Sequence, residues 1–552
     1  MASTHLQKPV VKGLRNAVFL ALILAGTTAA AYRLLSPYPP SKAQAFQSAK
    51  EFGADFDRAA QSIDAAFQDE WTKRHLEPAA AAPSLIVARR LSLALTGTVP
   101  SVQEIRALES HPEADRIPWW ISYLFQDRRS SDYLAERLAR AYVGVENGPI
   151  VTYRRRRLVE WLSNALDENR PYDGIVRALI DARGMSTSSP EVNFLTVTLE
   201  AKKGQPDDAK LAARVSRAFL GVRIDCVQCH DGKLGSQWKQ KDFHQLAAFF
   251  GPASMSFLRL RDDPKKAYEV RYLKETKPEP VTPAVPWSPE LLPGDGPLRE
   301  RLAMWVTAPG NRPFARAMVN RMWTLLFGRP LSAPVDEIPL AGPWPPALEL
   351  LADDFTAHGY DLHRLIRLIA ATRVFQMDSR SVDPDHPVTD EAEAQWAAFP
   401  MTRLRPEQLA GALIQAASLP TVDAETNVLF RFKHAIDKGN FIKRFGDAGD
   451  DELVHQGGTI PQRLLLMNGT AVRDSTGGNP LVNASARIAL LAGDDANAVE
   501  TAYLSIFTRR PTEEEAAYFA AKLHGARGKE RTAAMADLCW SLINSTEFSW
   551  NH

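Results

Sequence analysis

Cysteine is scarce in this chain, with only three among 552 residues. So few cysteines cannot build the disulfide framework on which small secreted domains depend. A charge bias is also absent, because 66 lysines and arginines nearly balance 65 aspartates and glutamates. The overall charge therefore predicts no nucleic-acid binding. With 45% hydrophobic residues over this length, the chain has enough apolar material for two or more globular domains.

Two of the three cysteines stand together in the motif Cys226-x-x-Cys229, which His230 follows directly. This pattern is typical of covalent c-type haem attachment. Two thiols on one turn of chain can each bond a vinyl group of the porphyrin, and the adjacent imidazole then lies beneath the iron as its axial ligand. We therefore predict one covalent haem c per chain, held by Cys226 and Cys229, with His230 as the proximal ligand.

The same motif fits two other interpretations. The cysteine pair also suits a redox couple or a disulfide, although the βαβ context usual for such a couple is not evident in the sequence. It equally suits half of a zinc site, which His230 and His244 would complete. If haem is bound, the nearby candidates for the distal iron ligand are His244 and Met255.

The first 36 residues predict an export signal. Three basic residues precede an apolar run from Ala17 to Tyr32. The run is longer than the core of most cleaved signals and shorter than the roughly 20 residues of a spanning helix, but snorkelling by Arg33 would extend it. We predict a retained signal anchor, with cleavage after the alanines at 29–31 as the alternative. Either outcome leaves the bulk of the chain in the periplasm, tethered to the inner membrane or secreted.

Most of the remaining sequence predicts helices, because apolar residues recur at intervals of three and four. The predicted fold is mainly α, with two helical domains joined by a proline-rich linker. The predicted segments after the signal anchor are a tether at 37–83, a domain at 84–258 that carries the cysteine motif, the linker at 259–297 and a companion domain at 298–552. In the linker, frequent prolines are expected to prevent any regular element.

Several helix ends can be predicted from local residues. Ser101 and Glu104 have the spacing of a capping box, which starts a helix. Asn311 is a candidate N-cap for a helix that Gly328 would end. In the helix from Lys241, Phe243, Leu246 and Phe250 form the apolar face.

Taken together, these residues resemble a family of exported planctomycete-type proteins in which a CxxCH-bearing, cytochrome c-like domain of unknown function precedes a companion domain of unknown function. The resemblance covers nearly everything after the tether. The stretches that carry it are Leu95-Thr-Gly-Thr-Val-Pro100, Cys226-Val-Gln-Cys-His-Asp231, Trp238, Lys241-Asp-Phe-His-Gln-Leu-Ala-Ala-Phe-Phe250, Asn311 to Leu331, Gly359-Tyr-Asp361, Ile460-Pro-Gln462, Leu466-Met-Asn468 and Asn544-Ser-Thr-Glu-Phe-Ser-Trp-Asn-His552. The chain departs from its relatives after His230, where they tend to show Asp-His-Pro, and at His244, where an aromatic residue is expected.

The resemblance and the motif together imply an extracytoplasmic mono-haem c-type cytochrome-like protein. Its expected role is electron transfer to or from a neighbouring oxidative or catabolic system, through a redox partner that the sequence does not identify. The alternative is a non-enzymatic binding or scaffold protein, associated with carbohydrate use, in which the Cys-x-x-Cys-His group is structural. A haem enzyme is a third option and requires an open iron position with an acid or base nearby. The sequence leaves enzymatic activity open.

Overall fold

The computed structural model describes residues 18–26, 53–145, 153–199, 204–231, 238–272, 277–381, 387–423, 426, 428–446, 458–478 and 483–552. Over these residues the protein is mainly helical, with 62% helix and 4% strand, which confirms the predicted class. Most of the predicted signal anchor, and the tether before Gly53, lie outside the described residues. Within the described ranges, no helix has both the length and the apolar character needed to cross a membrane.

Many helices form the first half of the chain. They are α1 (18–26), α2 (Gly53–Lys73), α3 (Ser84–Thr96), α4 (Val102–Glu109), α5 (Glu113–Gln126), α6 (Arg128–Val143), α7 (Arg155–Asp167), α8 (Tyr172–Ile180), α9 (Asn193–Thr196), α10 (Asp208–Leu220) and α11 (Gln240–Ala247).

The second half is equally helical. Its helices are α12 (Leu298–Val306), α13 (Arg312–Phe327), α14 (Pro346–Ala357), α15 (Leu362–Ala371), α16 (Arg373–Gln376), α17 (Asp390–Ala394), α18 (Pro406–Ala416), α19 (Val428–Phe445), α20 (Ile460–Asn468), α21 (Thr470–Ser475), α22 (Ala484–Leu491), α23 (Asp495–Phe507), α24 (Glu513–Leu523) and α25 (Gly528–Ile543).

The strands are short and antiparallel. They are β1 (Gly184–Met185), β2 (Ala253–Ser256), β3 (Arg259–Asp262), β4 (Glu269–Val270), β5 (Glu279–Pro280), β6 (Thr402–Arg403) and β7 (Trp550–Asn551). A three-stranded sheet has the order β1-β3-β2, and β4 pairs with β5. Strand β7 pairs with β6, with Thr402 opposite Asn551, so the C-terminal strand is hydrogen-bonded to a strand that is distant in sequence.

Helix α3 lies at the centre of the protein, because all of its residues are buried. Its two buried arginines bond backbone carbonyls that are distant in sequence. Arg89 donates to the oxygen of Ile506 at 3.1 Å, and Arg90 donates to those of His552 at 2.8 Å and Met377 at 2.7 Å. These bonds compensate for burying the guanidinium groups and hold α3 against the C-terminal part of the chain.

Two apolar cores meet on α3. The larger core contains Leu91 and side chains from both sides of the predicted linker, for example Phe219 of α10 and Trp323 of α13. The smaller core contains Leu93 and is otherwise drawn from Val99 and residues after 403. The apolar packing therefore crosses the predicted domain boundaries. The positions of these boundaries remain predictions.

The segment predicted as a linker is packed and partly regular. It contains β3 and β4 before its run of prolines, then β5 with Pro280 and a 3-10 turn at Pro289–Leu291, so the expectation that these prolines prevent any regular element is wrong there. Trp287 lies between Trp238 and Trp305, with ring centroids 5.6 Å and 5.0 Å away. Its indole Nε1 donates to the side-chain oxygen of Asn311 at 2.8 Å. These contacts fix the segment against both neighbouring parts of the chain.

Candidate haem-attachment site

The cysteine motif follows a sharp helix end. Helix α10 begins after Asp207, whose carboxylate accepts from the amide of Lys210 at 3.0 Å, and stops at Gly221. Gly221 has a φ of 60°, and a Cβ there would lie 3.2 Å from that of Ala317 on α13. Only glycine combines this left-handed conformation with such a close approach at no cost. The turn therefore directs the chain away from α10 and into the motif.

An ion cluster holds the chain just before the motif. Arg223 donates to both carboxylate oxygens of the buried Asp336, at 3.0 Å and 2.9 Å, and Arg217 also contacts this carboxylate. Burial opposes ionisation of Asp336, but the two guanidinium groups outweigh it and lower its pKa. The entry to the motif is thus fixed to a residue more than one hundred positions away.

Both thiols of the motif face outward. Residues Asp225–Gln228 form a 3-10 turn, and Cys229 follows it directly. Cys226 thus lies within this turn and Cys229 directly after it. Both are exposed, free thiols, whereas Val227, the residue after Cys226, is fully buried in the larger core. Val227 therefore anchors the turn while the two thiols are presented to solvent together.

The ring of His230 has the tautomer that iron coordination requires. Its Nδ1 lies 2.8 Å from the backbone oxygen of Asp231, and a carbonyl oxygen can only accept. Nδ1 therefore carries the proton, which leaves the lone pair on Nε2 of the neutral ring. A backbone carbonyl on the non-coordinating nitrogen is the usual way in which a metal-binding histidine is oriented. Since His230 is exposed, its Nε2 can be reached from outside.

The first residue of α11 clamps the motif from the other side. The amide of Gln240 donates to the carboxylate of Asp231 at 2.9 Å, and its side chain donates to the backbone oxygen of Gln228 at 3.0 Å. A carboxylate at a helix N-terminus is stabilised by the helix dipole. The middle of the motif and the residue that follows it are thus bonded to α11.

His244 contacts the motif but uses both ring nitrogens for hydrogen bonds. Its Nε2 lies 3.1 Å from the backbone oxygen of Gln228, so this nitrogen must carry the proton. Its Nδ1 then accepts from the hydroxyl of Tyr268 at 2.8 Å. The side chain is buried, and burial lowers its pKa against a smaller opposing effect of the Gln228 carbonyl. In this arrangement His244 can bind iron or zinc only after losing one of these bonds.

Met255 lies on β2, where it pairs with Leu260 of β3. The side chain of Gln205 accepts from the amide of Met255 at 2.8 Å and donates to its oxygen at 3.1 Å. The Met255 side chain is partly buried against the larger core. Met255 is therefore held by Gln205 and the larger core. His244, in contrast, bonds directly to the motif through the backbone oxygen of Gln228.

The residues of the motif fit a c-type haem. Their cysteines are free and exposed within a few residues of chain, and the adjacent imidazole offers Nε2. Residues 232–237, which follow the motif, lie outside the described residues. Among the histidine, cysteine, aspartate and glutamate side chains that the structure describes, no group of three or more is arranged to hold a metal ion.

Sequence reasoning missed several residues that shape this site. Gln240, Tyr268 and Asp336 bond to the motif, to His244 or to the chain before the motif, yet none stands in a recognisable pattern. Asp336 has no local sequence signal at all, because its two arginine partners belong to the other half of the chain. The capping position of Gln240 could have been inferred only once the start of α11 was known.

Comparison with protein families supports a two-part chain. Residues 62–255 match the family described as PSCyt2, a protein of unknown function (DUF1549), and residues 298–434 match PSD1, a protein of unknown function (DUF1553). Neither the curated proteins nor the solved structures include a significant match. The cysteine motif lies inside the first matched region. The chain thus carries, in this order, a region similar to the DUF1549 family and a region similar to the DUF1553 family, both of unknown function.

Proposed function

We propose that this protein is a mono-haem c-type electron-transfer protein whose haem is bonded to Cys226 and Cys229, with His230 as the proximal ligand. The observation that carries the proposal is the joint exposure of two free cysteines in and directly after one turn, next to a histidine whose Nδ1 is bonded to a backbone carbonyl. A bound haem supplies reversible one-electron chemistry, which protein side chains do not provide. The partner is a neighbouring oxidative or catabolic system.

The chain's own residues would keep this site rigid. Val227 seats the turn in the core, and Asp231 fixes the tautomer of His230. Gln240 and His244 both donate to the oxygen of Gln228, which lies between the two cysteines. A carrier benefits from such rigidity, because ligands that move little on reduction keep the reorganisation small. These contacts favour a carrier over a site that must admit a substrate.

The most direct test is a pyridine haemochrome spectrum of protein produced in a host with c-type haem maturation. We expect the spectrum of a haem with two thioether bonds, and an intact mass that exceeds the polypeptide mass by one haem after denaturation. A sample without this increment, but with stoichiometric zinc, would establish the structural interpretation of the motif instead.

We also propose that the bulk of the chain is extracytoplasmic and is tethered to the inner membrane. The basic residues before Ala17 support this orientation, as do the apolar, exposed side chains of Phe19, Leu20 and Leu22 on α1. Protease added to intact spheroplasts should therefore degrade the folded part of the protein. Protection until the membrane is lysed would show that the orientation is wrong.

The distal iron position separates a carrier from a haem enzyme. We expect the ferric protein to be low-spin and six-coordinate by electron paramagnetic resonance, as a carrier requires. We expect His244→Gln to remain low-spin, because both ring nitrogens of His244 are already engaged.

Each other outcome of this experiment has a distinct meaning. A change to high spin in His244→Gln would show that His244 is the distal ligand, and the same change in Met255→Leu would assign that role to Met255. A wild-type signal that is already high-spin and shifts on adding cyanide would contradict the carrier role and favour a haem enzyme.

A further inference from the structure

A cavity of about 720 Å³ lies beside the candidate haem site. It opens between β3, the chain that follows β3 and the start of α12. We propose that this cavity binds a small organic anion, namely a carboxylate with an apolar body. Its volume falls in the range of about 300–1,000 Å³ that is usual for small-molecule sites. The proposal concerns a second site and does not depend on haem attachment.

The lining combines cations with apolar surface. The cavity is bounded by Arg183, Ala248, Pro252, Arg261, Asp262, Pro264, Lys266, Ala267, Tyr268, Val281, Pro283, Gly296, Pro297 and Leu298. Most of these residues belong to the segment predicted as a linker. Three of them are cationic and one is anionic, so the lining carries an excess of positive charge.

The one carboxylate of the lining is already neutralised. Asp262 accepts from Nε of Arg299 at 2.8 Å and from Nε of Arg183 at 3.1 Å. Arg299 is fully buried, and its Nη1 also donates to the backbone oxygens of Ile180 and Ala182, both at 2.9 Å. Asp262 is therefore held by a fixed internal cation and would repel an entering anion only weakly.

Two cations of the lining are available to a ligand. Arg261 is exposed, and its guanidinium forms no hydrogen bond or ion pair with the residues that the structure describes. The ammonium of Lys266 donates one bond, to the backbone oxygen of Ala253 at 2.6 Å, and keeps its other protons. A guanidinium and an ammonium at one opening suit a carboxylate, because charge-assisted bonds to it are among the strongest in proteins.

The apolar part of the lining selects the rest of the ligand. Val281, Pro283 and Leu298 offer surface that a fully hydrated inorganic anion would not cover. A flat or branched hydrocarbon would remove this surface from water, at roughly 25 cal/mol for each Å² buried. The cavity thus favours an anion that carries a hydrocarbon group over phosphate or sulfate.

Tyr268 connects the cavity to the cysteine motif. Tyr268 forms part of the wall, and its hydroxyl donates to Nδ1 of His244, whose Nε2 donates to the oxygen of Gln228. A ligand in the cavity would therefore lie two side chains from the motif.

Isothermal titration calorimetry of the full-length protein tests the proposal, with benzoate as the probe and its neutral isostere benzamide as the matched comparison. We expect benzoate to bind at least about tenfold more tightly than benzamide, because a charged hydrogen bond is lost in the amide. Inorganic phosphate should bind more weakly than benzoate.

Substitutions of the two available cations test whether benzoate binds in this cavity. We expect Arg261→Gln and Lys266→Gln each to weaken benzoate binding by about tenfold. Arg157→Gln, on the exposed face of α7, is the matched control and should leave binding unchanged. Circular dichroism verifies that the variants are folded, which is expected because these side chains are on the surface or partly exposed.

The proposal is overturned if benzoate does not bind, if benzamide or phosphate binds equally well, or if Arg261→Gln behaves like Arg157→Gln. Since the measurement is heat of binding, it does not require haem. A protein that binds benzoate but carries no haem would therefore retain this site while disproving the proposed electron-transfer function.

Discussion

The double variant Cys226→Ser, Cys229→Ser is expected to carry no covalent haem, whereas the wild-type chain gains the mass of one haem. Thioether bonds require sulfur, and serine offers only a hydroxyl of similar size. Because both thiols are exposed and make no buried contact, the substitutions should leave the fold intact. Intact mass spectrometry after denaturation, on protein from a host with c-type haem maturation, measures the difference directly. Each single variant keeps one attachment point and should yield a smaller haem-bearing fraction.

The third cysteine provides a matched control for this experiment. Cys539 is buried in the smaller core, and burial raises the pKa of its thiol to about 12. A thiol that stays protonated at neutral pH is unreactive, so Cys539→Ser should retain the haem increment in full. Persistence of the increment in the double variant would contradict the assignment of Cys226 and Cys229, and its loss in Cys539→Ser would show that the assay reports folding rather than attachment.

Local sequence signals predicted the ends of helices well, because caps depend on residues a few positions apart. Ser101 and Glu104 form the predicted capping box, with the Glu104 amide bonded to the Ser101 hydroxyl at 3.0 Å and the Ser101 amide bonded to the Glu104 carboxylate at 2.7 Å. Gly328 ends α13 with a φ of 77°, as predicted. The period of three and four also identified the buried side of α11 and of the 3-10 turn after it, since Phe243, Leu246 and Phe250 are fully buried.

Long-range contacts overrode local signals at other positions. Asn311 occupies the predicted N-cap of α13, but its side chain makes no cap bond. The amide group instead donates to the backbone oxygen of Trp305 at 2.9 Å, and its oxygen accepts from Trp287. Proline frequency likewise suggested a linker, whereas Trp287 of that segment packs against Trp238 and Trp305. Composition cannot reveal such packing, because the partners are set by the fold.

Long-range contacts also limited what the sequence could predict about the candidate site. The motif residues were found from their spacing, since haem attachment needs them in one turn. That His244 would contact Gln228 and Tyr268 could not be deduced, because helix periodicity places His244 next to an apolar face without indicating which backbone oxygen it meets. The cavity lining depends on β3, the chain that follows it and the start of α12 coming together, which no pattern in the sequence indicates.

A buried ion cluster joins the two regions that match separate families. The carboxylate of Glu407, on α18, accepts from Arg137 of α6 at 2.9 Å and from Arg405 at 2.9 Å. Tyr133 donates its hydroxyl to the same oxygen across 274 positions of sequence, at 3.1 Å. Burial opposes ionisation of Glu407, but the two guanidinium groups outweigh it and lower its pKa. Glu407 therefore has all of these partners only when both parts of the chain are in place.

We expect Glu407→Gln to destabilise the protein by about 3–5 kcal/mol, because removing one member of a buried ion cluster leaves the others uncompensated. Glutamine keeps the shape of the side chain, so the loss measures charge and not packing. Urea unfolding at pH 7, monitored by circular dichroism, measures the change in the free energy of unfolding. The matched control is Glu70→Gln, which makes the same chemical change in a surface pair with Lys73 and should alter stability by no more than about 0.5 kcal/mol.

The pH dependence of stability shows whether Glu407→Gln acts by removing a charge or by disturbing the packing. Since the folded protein lowers the pKa of Glu407, the stabilisation is present above the unfolded value of about 4.3 and is lost as the pH falls through the lower folded value. The difference between wild type and Glu407→Gln should therefore be constant from pH 7 to about 5 and should shrink on further acidification. A difference that does not change with pH would show that the glutamine disturbs packing, and a variant as stable as Glu70→Gln would show that the buried cluster contributes no stability.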